Sequence, residues 1–294
     1  MSSNEIINKT MDFQDLETSE AKEIVAELNE LILCLRKKGL KISSWYGRFD
    51  LSGHSHTPEQ INRGYGYLAL DGAVDDQHFP WFLYWEIAWV VLNNNFAEYQ
   101  RVLDLGGSSS LFSYYLASKG LNVTTVELQE KLVENANVTA QHMNWNLKNY
   151  VLDMRELSFA WQFDHITSLC VYEHIPMYDR IEINRRIKDL LVNGGCFSIT
   201  FDYRNPSKHA QIASPGDLYE QFIEPSGLRV RGNELFADNG RNYLLYPFYH
   251  PEISFRYRLW QVLRGHCDLS DFYKTKTAND YTFGALFMQK SSRS

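Results

Sequence analysis

The chain has 294 residues, with 29 Lys and Arg against 36 Asp and Glu, 44% hydrophobic residues and a formal net charge of −7. This composition is typical of a globular protein that builds its own core. No Lys/Arg-rich run is present, so nucleic acid is not expected as a partner. The four cysteines form no CxxC pair and the N-terminus has no signal-peptide pattern. Both features favour reduced thiols and a cytoplasmic location without a membrane span.

The first hundred residues divide into a helix, a loop-rich stretch and a second helix. Apolar residues recur at three- and four-residue steps over residues 17–39, which predicts an amphipathic helix. Residues 41–78 are rich in Gly, Ser, His and aromatic residues, and a loop region of this length is usually functional or lid-like. Residues 79–92 are apolar nearly all round, which predicts a buried helix.

From residue 101 onward, short β-rich runs alternate with helical patterns. The predicted strands are 102–105, 122–127, 150–152, 165–170 and 196–201, and the predicted helices are 109–119, 129–142 and 178–192. This alternation indicates a parallel sheet with helices on both faces. The Val192-Asn-Gly-Gly195 step is expected to close the helix before the fifth strand. A helix over 214–224 and strands at 227–231 and 281–288 follow, with an insertion at 235–280 that we assign to a cap.

Small and acidic residues stand where successive strands are predicted to end. The first strand runs into Gly106-Gly-Ser-Ser-Ser110 before a helix, and small residues there allow a ligand to approach the backbone and the helix N-terminus. Glu127 ends the second strand, where a carboxylate can accept hydrogen bonds from ribose hydroxyls. Asp153 follows the third strand, where its side chain could meet an adenine amino group. The nicotinamide fingerprint G-x-G-x-x-G is absent, which disfavours a dehydrogenase.

These strand-end features resemble those of the class I SAM-dependent methyltransferases. Val102-Leu-Asp-Leu-Gly-Gly107 looks like the first motif of that family, Val123-Thr-Thr-Val-Glu127 like its acidic second motif, and Tyr172-Glu-His-Ile-Pro176 like its fourth-strand signature. The resemblance covers roughly residues 100–204 and the strand at 281–289. It implies a doubly wound, mostly parallel α/β sheet of seven strands. It also implies S-adenosyl-L-methionine as the cofactor.

By this resemblance, Gly106 and Gly107 would lie under the methionine part of the donor, Glu127 on its ribose and Asp153 beside its adenine. Asp104 would order the glycine loop or reach the donor's amino group through water. The resemblance also assigns the donor pocket the neighbouring residues Ser108, Leu128, Met154, Cys170 and Val171. The sequence departs from the common G-x-G-x-G pattern at Ser108-Ser-Ser110, and we expect those serines to keep a negative φ.

Candidate catalytic residues lie after the fourth and fifth strands. Tyr172, His174 and Asp202 are the predicted catalytic side chains, and His174 is the base candidate because its pKa is near working pH. His174 could instead hydrogen-bond a neighbouring loop. Some relatives bind a divalent ion through E-x-x-E-H, but Cys170 occupies the first Glu position and no metal is expected. His54, His56 and His78, with Asp75 and Asp76, match no metal-ligand spacing and are interpreted as solvated polar residues.

Trp45, Tyr46 and Arg48 in the loop-rich stretch, together with Tyr203 and Arg204, are candidates for contact with the acceptor. Aromatic rings and a guanidinium suit a planar or carboxylate-bearing molecule. The alternative for the N-terminal aromatic residues is that they pack a cap onto the sheet.

The sequence therefore predicts a helical and loop-rich N-terminal cap over 1–97 and a donor-binding domain over 98–294. The predicted function is methyl transfer to a small organic acceptor, with precursors of secondary metabolites or glycans as candidates. Two alternatives stay open: a non-catalytic SAM-binding scaffold, and an aminopropyl-type transferase on the same fold. The sequence does not indicate an oligomeric state.

Overall fold

Parallel strands form the centre of the sheet in the computed structural model, which describes residues 6–43, 79, 81–205, 212–244, 263 and 280–292. The strands are β1 Lys9–Thr10, β2 Arg101–Leu105, β3 Asn122–Glu127, β4 Leu147–Val151, β5 Phe163–Leu169, β6 Leu191–Tyr203, β7 Arg229–Val230, β8 Tyr243–Leu244 and β9 Asp280–Gln289. Their order across the sheet is β1-β9-β6-β5-β2-β3-β4, and β7 and β8 also pair with β9. Strands β2 to β6 are mutually parallel, and β9 runs antiparallel to β6.

The helices lie on both faces of this sheet. They are α1 Ser19–Lys37, α2 Trp81–Asn93, α3 Leu111–Ser118, α4 Glu130–Met143, α5 Met177–Leu190, α6 Pro215–Leu218 and α7 Glu224–Ser226, with a π-helical turn Tyr219–Ile223 between the last two. Two apolar cores result: one beneath α1, α2 and α3, and one beneath α5 and the π-helical turn. The predicted doubly wound α/β fold is confirmed. Over the described ranges, no helix has the length and apolar character needed to cross a membrane.

The N-terminal helices form where the sequence predicts them. Thr18 caps α1 by accepting a hydrogen bond from the Ala21 amide, and the apolar stripe of α1 is buried. Helix α2 is apolar on nearly all sides because it lies between α1 and the sheet. The strand β1 pairs with β9, so the described part of the N-terminal segment also extends the sheet.

Three details of the predicted elements are wrong. The Val192–Gly195 step does not close a helix, because α5 ends at Leu190 and β6 begins at Leu191. Gly194 instead lies in an irregularity of β6, where the five steps from Leu191 to Cys196 face only the two steps of β5 from Phe163 to His165. The sheet has nine strands in the described residues rather than seven, since two-residue strands such as β1 and β8 leave no periodic pattern. The strand predicted at 150–152 is β4, which starts earlier, at Leu147.

Candidate active site

The loop after β2 forms a close-fitting cradle at Gly106. Its backbone has φ +80°, and its amide donates to the Val126 carbonyl at 2.9 Å. A Cβ at this position would lie 2.7 Å from Val171 Cγ2 and 3.3 Å from Met154 Cε. Glycine is required here for both backbone conformation and space. The cradle therefore brings the end of β2 against the segments that follow β4 and β5.

Gly107 is held against the buried carboxyl of Asp104. A Cβ on Gly107 would lie 1.7 Å from Asp104 Oδ2. That carboxyl accepts hydrogen bonds from the hydroxyls of Ser113 at 2.6 Å and Thr167 at 2.9 Å. Burial raises the pKa of Asp104 to about 6, and the two hydroxyls oppose this increase. Asp104 thus ties β2, α3 and β5 together beneath the loop.

The serines after Gly107 point into the protein. Ser108 Oγ lies 2.5 Å from Thr125 Oγ1, and Ser109 Oγ donates to the Leu132 carbonyl at 2.6 Å. Ser110 caps α3 by accepting from the Ser113 amide. The expectation of negative φ is wrong at Ser109, which has φ +62°. Its hydrogen bond to Leu132 holds a conformation that usually favours glycine.

Glu127 lies at the end of β3 with its carboxylate half-buried. Its Oε1 accepts from the amides of Leu128 at 2.9 Å and Gln129 at 3.1 Å. Burial raises the pKa of this carboxyl, and the two amides act in the opposite direction. Both bonds go to one oxygen, so Oε2 is the atom that a ribose could approach. Leu128, the next residue, is exposed.

Asp153 is engaged by a neighbouring arginine. It caps a short 3-10 turn by accepting from the Arg155 amide at 2.8 Å, and the Arg155 guanidinium binds the same carboxylate at 2.6 Å. The hydrogen bonds from Arg155 hold the pKa of Asp153 below its usual value. Met154, which follows, borders the Gly106 cradle. The adenine contact assigned to Asp153 stays a prediction, and it would compete with this arginine.

The turn after β5 contains a strained cysteine. Cys170 has φ +50°, a conformation that costs about 1–2 kcal/mol for a residue with a side chain. Its amide donates to the carbonyl of Thr200 at 3.1 Å and lies 3.2 Å from the Thr200 hydroxyl. The strain turns the chain so that Val171 contacts the cradle. Tyr172 then enters the core, fully buried with its ring near Phe197 and Phe222.

The remaining predicted residues after β5 and β6 do not share one environment. His174 is exposed, whereas Asp202 is 4% exposed and accepts from Asn205 Nδ2 at 2.6 Å. Tyr203 is buried against Phe201 and Phe236, and burial raises its pKa to about 12. Arg204 forms an ion pair with Asp238 at 2.6 Å and donates to the Arg241 carbonyl. The structure therefore places Tyr172 and Tyr203 in the core, whereas His174 is exposed and Asp202 lies buried beside Cys170 and Glu173.

The predicted acceptor residues Trp45, Tyr46 and Arg48 lie outside the described residues, as do His54, His56, His78, Asp75 and Asp76. The chain just before them is described. Ser43 donates to the Ser109 carbonyl through its amide at 2.8 Å and its hydroxyl at 3.1 Å.

Sequence reasoning missed Glu86 as a site residue. It belongs to the apolar helix α2 and is 0% exposed. Cys170 Sγ donates to its Oε1 at 2.6 Å, so α2 meets the end of β5 at this pair. Burial, with a smaller contribution from Asp202, raises the pKa of Glu86 to about 8. A carboxyl inside an apolar helix was the available signal, because such a group needs a polar partner.

Comparison with known proteins identifies the domain. Residues 102–195 match the family model of the methyltransferase domain. The chain is 28% identical over 151 residues to a ubiquinone biosynthesis O-methyltransferase of Coxiella burnetii, a match covering 45% of this chain and 64% of that protein. It is 28% identical over 141 residues to the protein of the same name in Xanthomonas campestris, covering 44% of this chain and 58% of that one. The chain thus spans less than two thirds of the length of the curated relatives it matches.

Among solved structures, the [4+2]-cyclase SpnF matches with a TM-score of 0.52 at 14% identity, over 74% of this chain and 85% of that one. At this identity the likeness concerns the fold alone.

The geometry fits S-adenosyl-L-methionine, the cofactor of the matched family. The Gly106 cradle keeps clear the space that a side chain would fill, and Glu127 lies at the end of the adjacent strand, as binding of a nucleoside requires. Asp104 fixes the loop from below. Residues 102–195 are thus similar to the methyltransferase domain family, and the likeness is shown for that part of the chain.

Proposed function

We propose that this chain transfers the methyl group of S-adenosyl-L-methionine to a small organic acceptor. The observation that carries the proposal is the Gly106-Gly107 cradle packed against Val171, with Glu127 at the end of the neighbouring strand. This arrangement holds a nucleoside at the carboxyl ends of parallel strands, where open α/β sheets bind their ligands.

On the donor side, each residue has a positioning task. The carboxylate of Glu127 would accept hydrogen bonds from the ribose through Oε2, since Oε1 is held by two backbone amides. The backbone of Gly106 and Gly107 would lie against the methionine part, with Asp104 holding the loop in place. Ser108 would contribute only through its backbone, because its hydroxyl is directed to Thr125. The bound cofactor supplies an electrophilic methyl group.

On the acceptor side, the protein has to hold a nucleophilic atom about 3 Å from that methyl group and in line with the bond that breaks. Asp202, near the end of β6, and His174, after β5, are the polar residues that we retain for orienting the acceptor or moving its proton. Trp45, Tyr46 and Arg48 remain proposed acceptor contacts, supported by the contact of Ser43 with the donor loop. The segments 1–97 and 235–280 are the proposed cap.

The acceptor is not carried over from the relatives. Their names specify O-methylation in ubiquinone biosynthesis, but the matches cover less than half of this chain. The fold does not decide the reaction either, because one protein with this fold is named as a cyclase. The proposal therefore rests on the donor site, and the residues around Cys170 are those that would select the acceptor.

Two measurements test this function. Titration calorimetry with S-adenosyl-L-methionine and S-adenosylhomocysteine should give dissociation constants well below about 1 mM. Incubation of the full chain with the donor and a metabolite extract should yield products heavier by one methyl group in mass spectrometry. If neither nucleoside binds, the proposal fails. If both bind and no extract gives a methylated product, a non-catalytic binding role replaces it, and a larger transferred group would indicate a different transferase.

A further inference from the structure

A compact group of acidic and thiol side chains lies where β5 and β6 end. The ligand atoms of Cys170, Glu173 and Asp202 are all within 4.8 Å of one another. Glu173 is 5% exposed and Asp202 is 4% exposed, so both carboxyls are largely removed from water. Neither the resemblance nor the matched family model assigns these three side chains a common role.

Glu86 enters the same place from a different element. Its Oε1 accepts from Cys170 Sγ at 2.6 Å, which directs the carboxyl of α2 toward the group. The Thr200 hydroxyl is close enough to the carboxyl to lower its pKa, but within the described part of the chain the buried Oε2 has no partner with good hydrogen-bond geometry. Leaving a buried acceptor without a donor costs about 1–3 kcal/mol. This oxygen therefore points to a ligand that brings donors of its own.

The electrostatics of the group favour a positive charge. Burial raises the pKa of the Cys170 thiol, and the carboxyls of Glu86, Glu173 and Asp202 raise it further. Burial also raises the pKa of the Tyr281 hydroxyl, and the nearby acidic groups (Asp202, Cys170, Glu173 and Glu86) raise it further. The buried guanidinium of Arg180 interacts with Glu173 and offsets one of these negative charges. The remaining acids at this spacing ionise together only when a further cation enters among them. A ligand with a positive charge would thus be stabilised here relative to a neutral one.

This group borders the donor cradle. Val171 follows Cys170 directly, and its methyl groups form the wall that a Cβ on Gly106 would strike. An acceptor atom bound among the three carboxyls and the thiol would therefore lie next to the position proposed for the methyl donor. The size also fits, because hydrogen bonds of about 2.8 Å from one nitrogen reach acceptors about 4.6 Å apart.

We propose that Glu86, Cys170, Glu173 and Asp202 form a subsite for a protonated amine, and that the chain methylates nitrogen on its acceptor. This inference rests on the proposed function. Entry of the ammonium displaces the proton of the Glu86 carboxyl to solvent, and in the reaction the bound ammonium gives one proton to this carboxylate. The freed nitrogen lone pair forms the new N–CH3 bond while the S–CH3 bond breaks and its electrons stay on sulfur. The products are a methylated ammonium ion and S-adenosylhomocysteine.

The test compares two probes of the same shape, tert-butylammonium and tert-butanol. Each gives a single methyl signal, so both can be titrated by saturation-transfer NMR against the full chain saturated with S-adenosylhomocysteine. The ammonium probe should bind at least about tenfold more tightly than the alcohol. Glu86→Gln and Asp202→Asn should each reduce this preference by about fivefold or more. Glu134→Gln, which also removes a helical carboxylate but on the exposed face of α4, should leave it unchanged.

The inference is overturned if the two probes bind equally, if neither binds, or if the preference survives both subsite substitutions in variants that keep the wild-type melting temperature. Zinc chloride binding at micromolar concentration, lost in Glu86→Gln and displacing the ammonium, would overturn it in favour of a metal site. The proposed function fails separately, since binding of S-adenosylhomocysteine is measured in the same samples. If that nucleoside binds and the ammonium preference is absent, the methyltransferase proposal stands without an amine acceptor.

Discussion

The ends of β2 and β3 and the ends of β5 and β6 lie at one edge of the same sheet, yet they are built differently. At β2 and β3 the surface is shaped by backbone: a glycine with positive φ, a second glycine against a carboxyl, and one half-buried glutamate. At β5 and β6 it is shaped by buried ionisable side chains, and one of them comes from α2. A nucleoside that many enzymes share can be held by backbone shape, whereas an individual acceptor needs its own side chains.

The largest effect on binding is expected at Gly107, in the loop after β2 that is shaped by its backbone. In Gly107→Ala the new Cβ would meet Asp104 Oδ2, which is fixed by Ser113 and Thr167. Moving that carboxyl breaks both hydrogen bonds, so binding of S-adenosylhomocysteine should weaken by about 100-fold or more in calorimetry. Gly216→Ala is the matched control, because a Cβ there has only Ser214 Oγ at 3.5 Å. Unchanged binding in Gly107→Ala would mean that the loop is not shaped by close contact.

The next effect concerns the buried ionisable side chains near the ends of β5 and β6, which should make the stability of the folded protein depend on pH. Glu86 has its folded-state pKa raised from 4.5 to about 8, so the folded protein holds this proton more tightly than the unfolded chain. Stability from this group is therefore present at low pH and is lost as pH increases from 4.5 to about 8, at up to roughly 1.4 kcal/mol per pH unit. Glu86→Gln should flatten this decrease in urea melts at pH 5, 6.5 and 8. An equal slope in both proteins would show that Glu86 does not titrate in this range.

The ends of β2 and β3 and the ends of β5 and β6 also differ in how far the sequence predicts them. The positions of the proposed donor residues were predictable because these residues stand in short, local patterns: Gly106 and Gly107 follow a strand directly, and Glu127 ends the next strand. The pair of Glu86 and Cys170 was not predictable, because the two residues are 84 positions apart and meet only through packing of α2 on the sheet. Tyr172 shows that a local pattern can also mislead. Its motif position suggested a catalytic role, but a one-residue change of direction at Cys170 turns it into the core.

A smaller effect is expected at Glu127, the one charged side chain among the proposed donor contacts at the ends of β2 and β3. Glu127→Ala should weaken binding of S-adenosylhomocysteine by roughly 10–100-fold, the value of hydrogen bonds to a charged carboxylate. The melting temperature should change little, since the carboxyl is half-buried and its intramolecular bonds go only to adjacent amides. Glu130→Ala, an exposed glutamate in the first turn of α4, is the control. A similar loss in both variants would assign the effect to general charge rather than to a ribose contact.

The smallest effect separates two features of Ser109, the positive φ and the hydrogen bond that supports it. Both Ser109→Gly and Ser109→Ala lose the bond to the Leu132 carbonyl and the bonds that Ser109 Oγ accepts from Asn135 Nδ2 and the Tyr114 hydroxyl. Glycine also relieves the strain of φ +62°, so Ser109→Ala should unfold about 1–2 kcal/mol more easily in urea than Ser109→Gly. The difference between the two variants measures the strain of the positive φ at this position. If alanine and glycine destabilise equally, the positive φ carries no strain there, and the loop tolerates serine for another reason.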